Sequence, residues 1–364
     1  MPHIILSGYY GFNNAGDEAI LAALITGLQD RIDDVELTVL SSNPTWTKEV
    51  HQVKAIGRYN IKKLSSYFRS ADLLISGGGS LLQDVTGYKT IPYYLGVMKL
   101  AQLFKTPVFC CGQGIGPLNN PLNRKLVKQV LNSVAAITVR DRASQKLLQE
   151  IGVKQEVKLT SDPVFLLRPA KTDRVNQILK QEEIEINKPT IGVAPRAWGD
   201  NSYLKELAKL LDLLKDKLQA QILFLPLDYP DDREVSLQVR EMMSEEAMVI
   251  RANYTPQEVL ALTERVDLMV GVRLHSLIFA TVMGVLPAGI SYDPKVDNFL
   301  ERLSLAPVAK VDSLEVTKTY NRIVSLYEEK ESFKSTLEKK SDNLAGLARQ
   351  NLEITLRLLS DFND

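Results

Sequence analysis

The sequence predicts an α/β protein built on parallel sheets, and three observations predict it. Short apolar runs alternate with helix-length amphipathic segments almost from end to end, the pattern of βαβ units. The alternation pauses at a proline-bearing polar stretch, residues 161–172, and restarts beyond it. Glycine-rich turns close several of the apolar runs, as at 77–79 and 112–116. With 364 residues the chain exceeds one typical core and fits two domains of roughly 150–180 residues. The restart makes both Rossmann-like, with residues 1–170 as the N-terminal domain and 171–312 as the C-terminal one. From about 313 to 364 the strand pattern ends and helices are expected.

In the first domain the apolar runs predict strands at 3–6, 36–40, 72–76, 107–112, 136–140 and 157–160. In the second they predict strands at 190–194, 221–225, 247–250, 266–270 and 286–290. A helix at 274–283 follows the turn at Gly271. In the tail, Leu337, Leu344, Leu347, Leu352, Leu356 and Leu359 recur at mixed spacings, which suits packing on a domain better than a coiled coil.

Composition narrows the function classes. Lys+Arg and Asp+Glu balance at 44 each, so a general nucleic-acid binder is not expected. Cys110 and Cys111 are adjacent in an apolar run, which argues for core residues in a reducing cytosol and against a disulfide framework. The chain opens directly on an apolar strand without a basic n-region or cleavage site, and no run reaches the roughly 18 apolar residues of a spanning helix. A cytoplasmic protein is therefore expected. Asp228, Asp231 and Asp232 precede a helix, where carboxylates more often cap than ligate, and no metal is expected.

The candidate site residues sit just after predicted strands. The first strand leads into SGYYGFNNAGDE (7–18), where Gly11 and Gly16 free the backbone while Asn13, Asn14, Asp17 and Glu18 offer groups suited to sugar hydroxyls. It lacks the Gly-Lys-Ser/Thr of a phosphate-binding Walker loop, and the competing reading of Asp17 is a helix N-cap. Gly78 and Gly79 follow the strand at 72–76, Gln113 lies in the next glycine-rich turn, and Arg140 is delivered at the same sheet edge. A surface charge pair or a helix cap is the competing reading for Arg140 and Asp141. In the second domain Arg196 and Trp198 end the first strand, and an arginine there can grip a carboxylate or phosphate with two parallel bonds.

Arg273, His275 and Ser276 stand at a helix N-terminus, where ligands of parallel α/β sheets bind; the competing reading of His275 is a structurally satisfied histidine. Residues two apart nearly oppose each other on a helix, so joint use of Arg273 and His275 requires the helix to begin between or after them. Lys295 follows the last strand beside Asp293, in what is otherwise a turn with exposed charges.

Taken together, SGYYGFNNAGDE (7–18), SGGGSLLQD (76–84), GQGIGP (112–117), SDPV (161–164), APRAW (194–198) and GVRLHSLIFA (271–280) resemble the polysaccharide pyruvyl transferase family, especially its bacterial cell-wall members. The resemblance covers nearly the whole chain. It implies a fold like the two-domain GT-B glycosyltransferases, with C-terminal helices packing back across the domains and the active site between them. It also implies transfer of an enolpyruvyl unit from phosphoenolpyruvate, as co-substrate and without a cofactor, to a sugar that becomes a cyclic pyruvate ketal. On that reading His275 is the general acid, and Arg196, Arg273, His275, Ser276 and Lys295 bind the donor. Asn13, Asn14, Gly16, Asp17, Glu18, Gly78, Gly79, Gln113 and Arg140 face the acceptor, Asp17 as a candidate base. The acceptor it implies is lipid-linked N-acetylmannosamine of a polymer that anchors surface-layer proteins, which calls for peripheral contact with the inner membrane face; residues 95–104 are the candidate surface. A GT-B glycosyltransferase using a nucleotide sugar and a non-catalytic glycan-binding protein are the alternatives.

Overall fold

The computed structural model describes residues 1–85, 87 and 89–361, and the chain divides into two compact units. Unit 1 comprises Met1–Leu167 with Leu344–Asp364, and unit 2 comprises Arg168–Asn343.

Unit 1 alternates strand and helix throughout: β1 (His3–Ser7), α1 (Ala15–Gln29), β2 (Glu36–Ser41), α2 (Pro44–His51), β3 (Lys54–Gly57), α3 (Ile61–Ser70), β4 (Leu73–Gly77), α4 (Thr90–Leu103), β5 (Val108–Gln113), α5 (Pro121–Leu131), β6 (Ala136–Val139), α6 (Arg142–Glu150) and β7 (Val157–Leu159). The strands form one parallel sheet in the order β3-β2-β1-β4-β5-β6-β7. Strands buried on both faces read as continuous apolar runs, and Ile4, Ile5, Leu6, Leu73, Leu74 and Ile75 are all fully buried. Asparagine or aspartate caps start most of these helices: Asn14, Asn43, Asn60, Asn120 and Asp141 each accept a backbone N–H of the first turn.

Unit 2 contains α7 (Thr172–Gln181), β8 (Thr190–Ala194), α8 (Tyr203–Leu218), β9 (Gln221–Phe224), α9 (Asp231–Met242), β10 (Met248–Val249), α10 (Pro256–Thr263), β11 (Leu268–Gly271), α11 (Leu274–Val282), β12 (Leu286–Ser291), α12 (Pro294–Arg302), β13 (Ala309–Lys310), α13 (Val316–Glu328) and α14 (Lys330–Asp361). Its parallel sheet runs β10-β9-β8-β11-β12-β13. In each unit the chain winds outward from its first strand, then returns to the other side of that strand. Topological switch points therefore lie between β1 and β4 and between β8 and β11, where open α/β sheets bind ligands at the carboxyl ends of the strands.

Three features differ from the sequence pattern. β3 and β13 are absent from the predicted strands: both are short edge strands, and β3 has only Ala55 and Ile56 as apolar residues. The stretch read as a polar linker starts inside unit 1, where Ser161, Asp162 and Val164 are buried and a 3-10 turn at Pro163–Leu166 packs on α1. The tail is not one separate layer, since α14 supplies its first part to unit 2 and its last part to unit 1. In unit 1 Asn351 on α14 accepts from the Thr138 and Thr160 hydroxyls at 2.7 and 3.1 Å and donates to the Ser161 carbonyl at 3.2 Å.

The candidate membrane surface at 95–104 lies largely in α4, whose Leu95, Val97, Met98 and Ala101 face the core of unit 1 while Leu103 is exposed. Among the described residues no helix is long and apolar enough to cross a membrane.

Candidate functional site

In unit 2 the candidate residues converge on the carboxyl edge of the sheet. β8 ends at Ala194 and β11 at Gly271, adjacent strands whose following segments carry Arg196 and Arg273. The backbone N–H groups of Val272 and Arg273 both donate to the Ala194 carbonyl, tying the two loops together. Arg273 is the N-cap of α11 with an extended backbone, and the helix starts at Leu274. The helix thus begins between Arg273 and His275, the geometry that their joint use requires. The Arg273 carbonyl accepts from the backbone N–H and the hydroxyl of Ser276 at 3.1 and 2.6 Å, which fixes the first turn that carries His275. His275 is half-buried, with its Nε2 withdrawn from solvent.

The Arg273 side chain does not reach outward as a free cation. Its Nε donates to Asp232 Oδ2 at 2.8 Å, and its Nη2 donates to Asp232 Oδ1 at 2.6 Å and to Asp228 Oδ2 at 2.9 Å. Burial works against the guanidinium charge, but the Asp232 and Asp228 carboxylates outweigh it and raise the arginine above its ordinary value. The charge expected at the donor is therefore already matched, and Arg273 acts by holding the loop after β9 against the start of α11. Asp228 and Asp232, read from sequence as caps, are its counter-ions; Asp232 also accepts from the Asp228 backbone N–H at 3.1 Å.

Arg196 is placed differently. Its Nη1 donates to the Tyr292 hydroxyl at 2.6 Å, its guanidinium lies 4.4 Å from the Tyr292 ring centroid, and its buried Nε has no hydrogen-bond partner. Among the described residues no carboxylate forms an ion pair with it. Tyr203 anchors the Arg196 backbone by donating to its carbonyl, and burial pushes that hydroxyl up to about 12, so it remains a neutral donor. Lys295 in the first turn of α12 comes within 4.9 Å of the same Tyr292 ring and 3.8 Å of the Asp293 carboxylate. Tyr292, which the sequence reading passed over, thus joins Arg196 to Lys295. Its only sequence signal is its position directly after β12.

In unit 1 the loop after β1 is built inward. Asn14 caps α1 through Gly16 and Asp17, so the N-cap role open to Asp17 belongs to Asn14. Glu18, expected at the acceptor, is 1% exposed: one oxygen accepts from the Gly11 N–H at 2.6 Å and the other faces His51 Nε2 at 3.2 Å. It closes the loop rather than presenting a carboxylate. Gln113 is also fully buried, with its Nε2 donating to the Ser76 carbonyl and hydroxyl at 2.8 and 2.9 Å. Asp17 is only half-buried and stays at the edge, beside Gly79, where an added Cβ would come within 2.5 Å of its Oδ1. Gly78 and Gly79 both adopt positive φ, 68° and 65°, which carries the turn past Ile20 and Asp17. Asn13, at φ 60°, sits on the same loop.

Arg140 is buried as an ion pair with Asp162 at 2.6 Å and also donates to Ser80 Oγ at 3.1 Å, while Asp141 caps α6. Burial opposes its charge, and Asp162 and Asp141 more than restore it. The structure therefore brings Asp17, Gly79, Ser80, Gly114 and Arg140 together at the switch point, and turns Glu18 and Gln113 away from it. Sequence reasoning missed Arg58, which follows the unpredicted strand β3 and lies buried on the same sheet edge.

The solved structure of S. aureus MnaA with UDP is similar at a TM-score of 0.67 with 12% identity, covering 98% of each chain. The UDP-GlcNAc 2-epimerase of Neisseria meningitidis, solved bound to UDP-GlcNAc, is similar at 0.63 with 13% identity over 98% of this chain and all of that one. A glycosyltransferase from Rickettsia africae matches at 0.63 with 13% identity, covering 98% and 99% of the two chains. At such identities these share the fold, two Rossmann-like units of GT-B type. The amylovoran biosynthesis protein AmsJ of Erwinia amylovora is 23% identical over 90% of this chain and 93% of its own. The family model described as polysaccharide pyruvyl transferase matches residues 14–294, from the N-cap of α1 to the start of α12, and the chain belongs to that family.

Proposed function

We propose that the protein transfers the enolpyruvyl group of phosphoenolpyruvate to two hydroxyls of a sugar, closing a cyclic pyruvate ketal and releasing phosphate. The observation that carries this reading is the grouping of Arg196, Tyr292 and Lys295 at the carboxyl edge of unit 2, on the strand ends that flank α11 with His275 in its first turn. Phosphoenolpyruvate presents a carboxylate and a phosphate. Arg196, Lys295 and the N-terminus of α11 supply cations and donors to match both, whereas the Ser276 amide and hydroxyl are bonded to the Arg273 carbonyl. Arg273 contributes by positioning.

His275 protonates the terminal methylene, leaving an oxocarbenium-like centre at the phosphate-bearing carbon. One sugar hydroxyl adds there and gives up its proton, phosphate departs, and the second hydroxyl closes the ketal. Of the two hydroxyl protons, one replaces the proton now in the methyl group and the other leaves with phosphate. Asp17, at the rim of unit 1 beside Gly79, is the candidate base for an acceptor hydroxyl, and Asn13, Asn14, Gly16, Gly78 and Arg140 shape that side.

Lipid-linked N-acetylmannosamine is the first acceptor to test, and the relation to an amylovoran biosynthesis protein adds exopolysaccharide repeat units to the set. Phosphate release from phosphoenolpyruvate that depends on acceptor, with product mass matching a ketal, supports the reading. Binding of a uridine-diphosphate sugar with no phosphoenolpyruvate consumption on any acceptor overturns it in favour of a nucleotide-sugar glycosyltransferase. His275→Ala lowers kcat by about a hundredfold or more, the usual worth of a general acid. Arg196→Ala raises the KM for phosphoenolpyruvate by roughly tenfold or more, the scale of one lost charge-assisted contact.

A further inference from the structure

Glu18 is a buried carboxylate that the transfer reading leaves unused, 1% exposed in the first turn of α1. Among the described residues no lysine or arginine pairs with it; one oxygen accepts from the Gly11 N–H at 2.6 Å and the other faces His51 Nε2 at 3.2 Å. His51, the last residue of α2, is itself 8% exposed and packs nearly at right angles to Trp46, with ring centroids 6.0 Å apart. An ionised carboxylate only accepts, so Nε2 carries the proton of this bond. A carboxylate taken out of water is costly unless donors meet its oxygens, and here one donor meets each.

The bond to Gly11 governs the chain on both sides of it. Tyr10 is fully buried; its hydroxyl donates to the Gly77 carbonyl at 3.0 Å and its carbonyl accepts from the Ser42 N–H at 2.9 Å. Gly11, at φ 78°, lies against the turn before α2, where an added Cβ would come within 2.5 Å of the Asn43 nitrogen. Beyond it Asn13 takes a left-handed backbone, φ 60°, which asparagine tolerates but does not enforce, and Asn14 caps α1. α2 therefore grips this loop at both ends, through Ser42 just ahead of its start and through His51 at its finish.

We propose that Glu18 and His51 form a clasp that sets the acceptor loop, with His51 a positioning residue for the transfer that acts through Glu18 and Gly11 and touches neither substrate. With His51 donating, Glu18 holds the Gly11 N–H inward and fixes the path of residues 12–14. Without that donor the buried carboxylate loses half of its compensation, and the segment from Gly11 to Asn13 is released to other conformers. Acceptor affinity then depends on a histidine carried by a different element, whereas the donor candidates on the strand ends of unit 2 do not. The assignment to the acceptor rests on the transfer reading above; the ordering of the loop does not.

Two variants separate loss of the donor from loss of packing: His51→Phe keeps a ring beside Trp46 but cannot donate, and His51→Gln returns an N–H at nearly the same reach. By hydrogen exchange, His51→Phe is expected to speed the amides of residues 11–13 by about tenfold or more while those of β1 and β4 keep their protection, and His51→Gln to restore most of the difference. In turnover with phosphoenolpyruvate and the lipid-linked N-acetylmannosamine acceptor, His51→Phe is expected to raise the acceptor KM by about tenfold and to leave kcat and the phosphoenolpyruvate KM within about twofold. Glu18→Ala breaks the same clasp independently and is expected to do the same, and the two changes together to cost little more than either, because they interrupt one chain of contacts. Unchanged exchange in the loop, equal rises in both KM values, a fall in kcat alone in a folded variant, or no recovery in His51→Gln overturns the proposal. If loop exchange depends on His51 while no acceptor elicits phosphate release, the clasp stands and the transfer reading fails.

Discussion

Replacing Asp232 by alanine leaves the Arg273 guanidinium buried with only Asp228 beside it, because Asp232 supplies two of the three contacts. Breaking one side of a buried ion pair costs about 3 kcal/mol, and urea unfolding of Asp232→Ala is expected to show a loss of that order. A variant as stable as the wild type would show that Arg273 does not need this partner. The same contrast governs what could be foreseen at single residues. Arg196 stands at the carboxyl edge of the sheet, as its place just after a buried strand implies. Arg273 and Glu18 have equally telling positions, yet their partners Asp232 and His51 lie 41 and 33 residues away, and no local pattern encodes that pairing. Cys110 and Cys111 are fully buried, and burial pushes the Cys110 thiol up to about 12 and Cys111 well above its ordinary value. A thiol reagent should therefore titrate neither in the native protein and both after unfolding.

Single side chains also fasten whole elements. Asp84, after β4, accepts from the backbone N–H groups of Asn119 and Asn120 at 2.9 and 2.8 Å and from Asn123 Nδ2 at 3.2 Å, pinning the loop to the start of α5. Burial tends to raise this carboxyl, but the three amide donors prevail and hold it below the usual carboxylate range. A carboxyl depressed in the folded state contributes stability above its unfolded value of about 4, and that contribution disappears as pH falls through the lower folded value. Asp84→Asn is expected to cost roughly 1 kcal/mol at neutral pH and to flatten the acid limb below about pH 4, as followed by thermal melts across pH. An unchanged acid limb would remove Asp84 from this role. Central strands were readable as elements because burial on both faces demands continuous apolar residues. β3 and β13 escaped because an edge strand needs little of that signal, and with β3 went the position of Arg58. The start of α11 at Leu274 agrees with the helix predicted from 274, and the bonds of Arg273 to Ala194 and Ser276 hold it there.

Across the whole molecule, the last part of α14 belongs to unit 1, where Leu344, Ala348, Leu352 and Leu359 are buried and Leu352 lies over Gly27 of α1. A chain ending after Asn343 is expected to lose amide protection in β6, β7 and α1 while the β8–β12 core keeps it, as read by hydrogen exchange; uniform loss over both units would contradict this. The alternation of apolar runs, the restart near residue 170 and the strand-end motifs sufficed to determine two parallel α/β units and the family, because each is encoded in residues close together along the chain. Only the tertiary structure decided which charged residues remain available at the strand ends. Arg273 and Arg140 meet carboxylates brought by other elements, Glu18 meets His51, and Arg58 meets rings but no carboxylate. Desolvation makes each buried charge depend on its partner, and the partner is chosen by how distant segments pack rather than by sequence spacing.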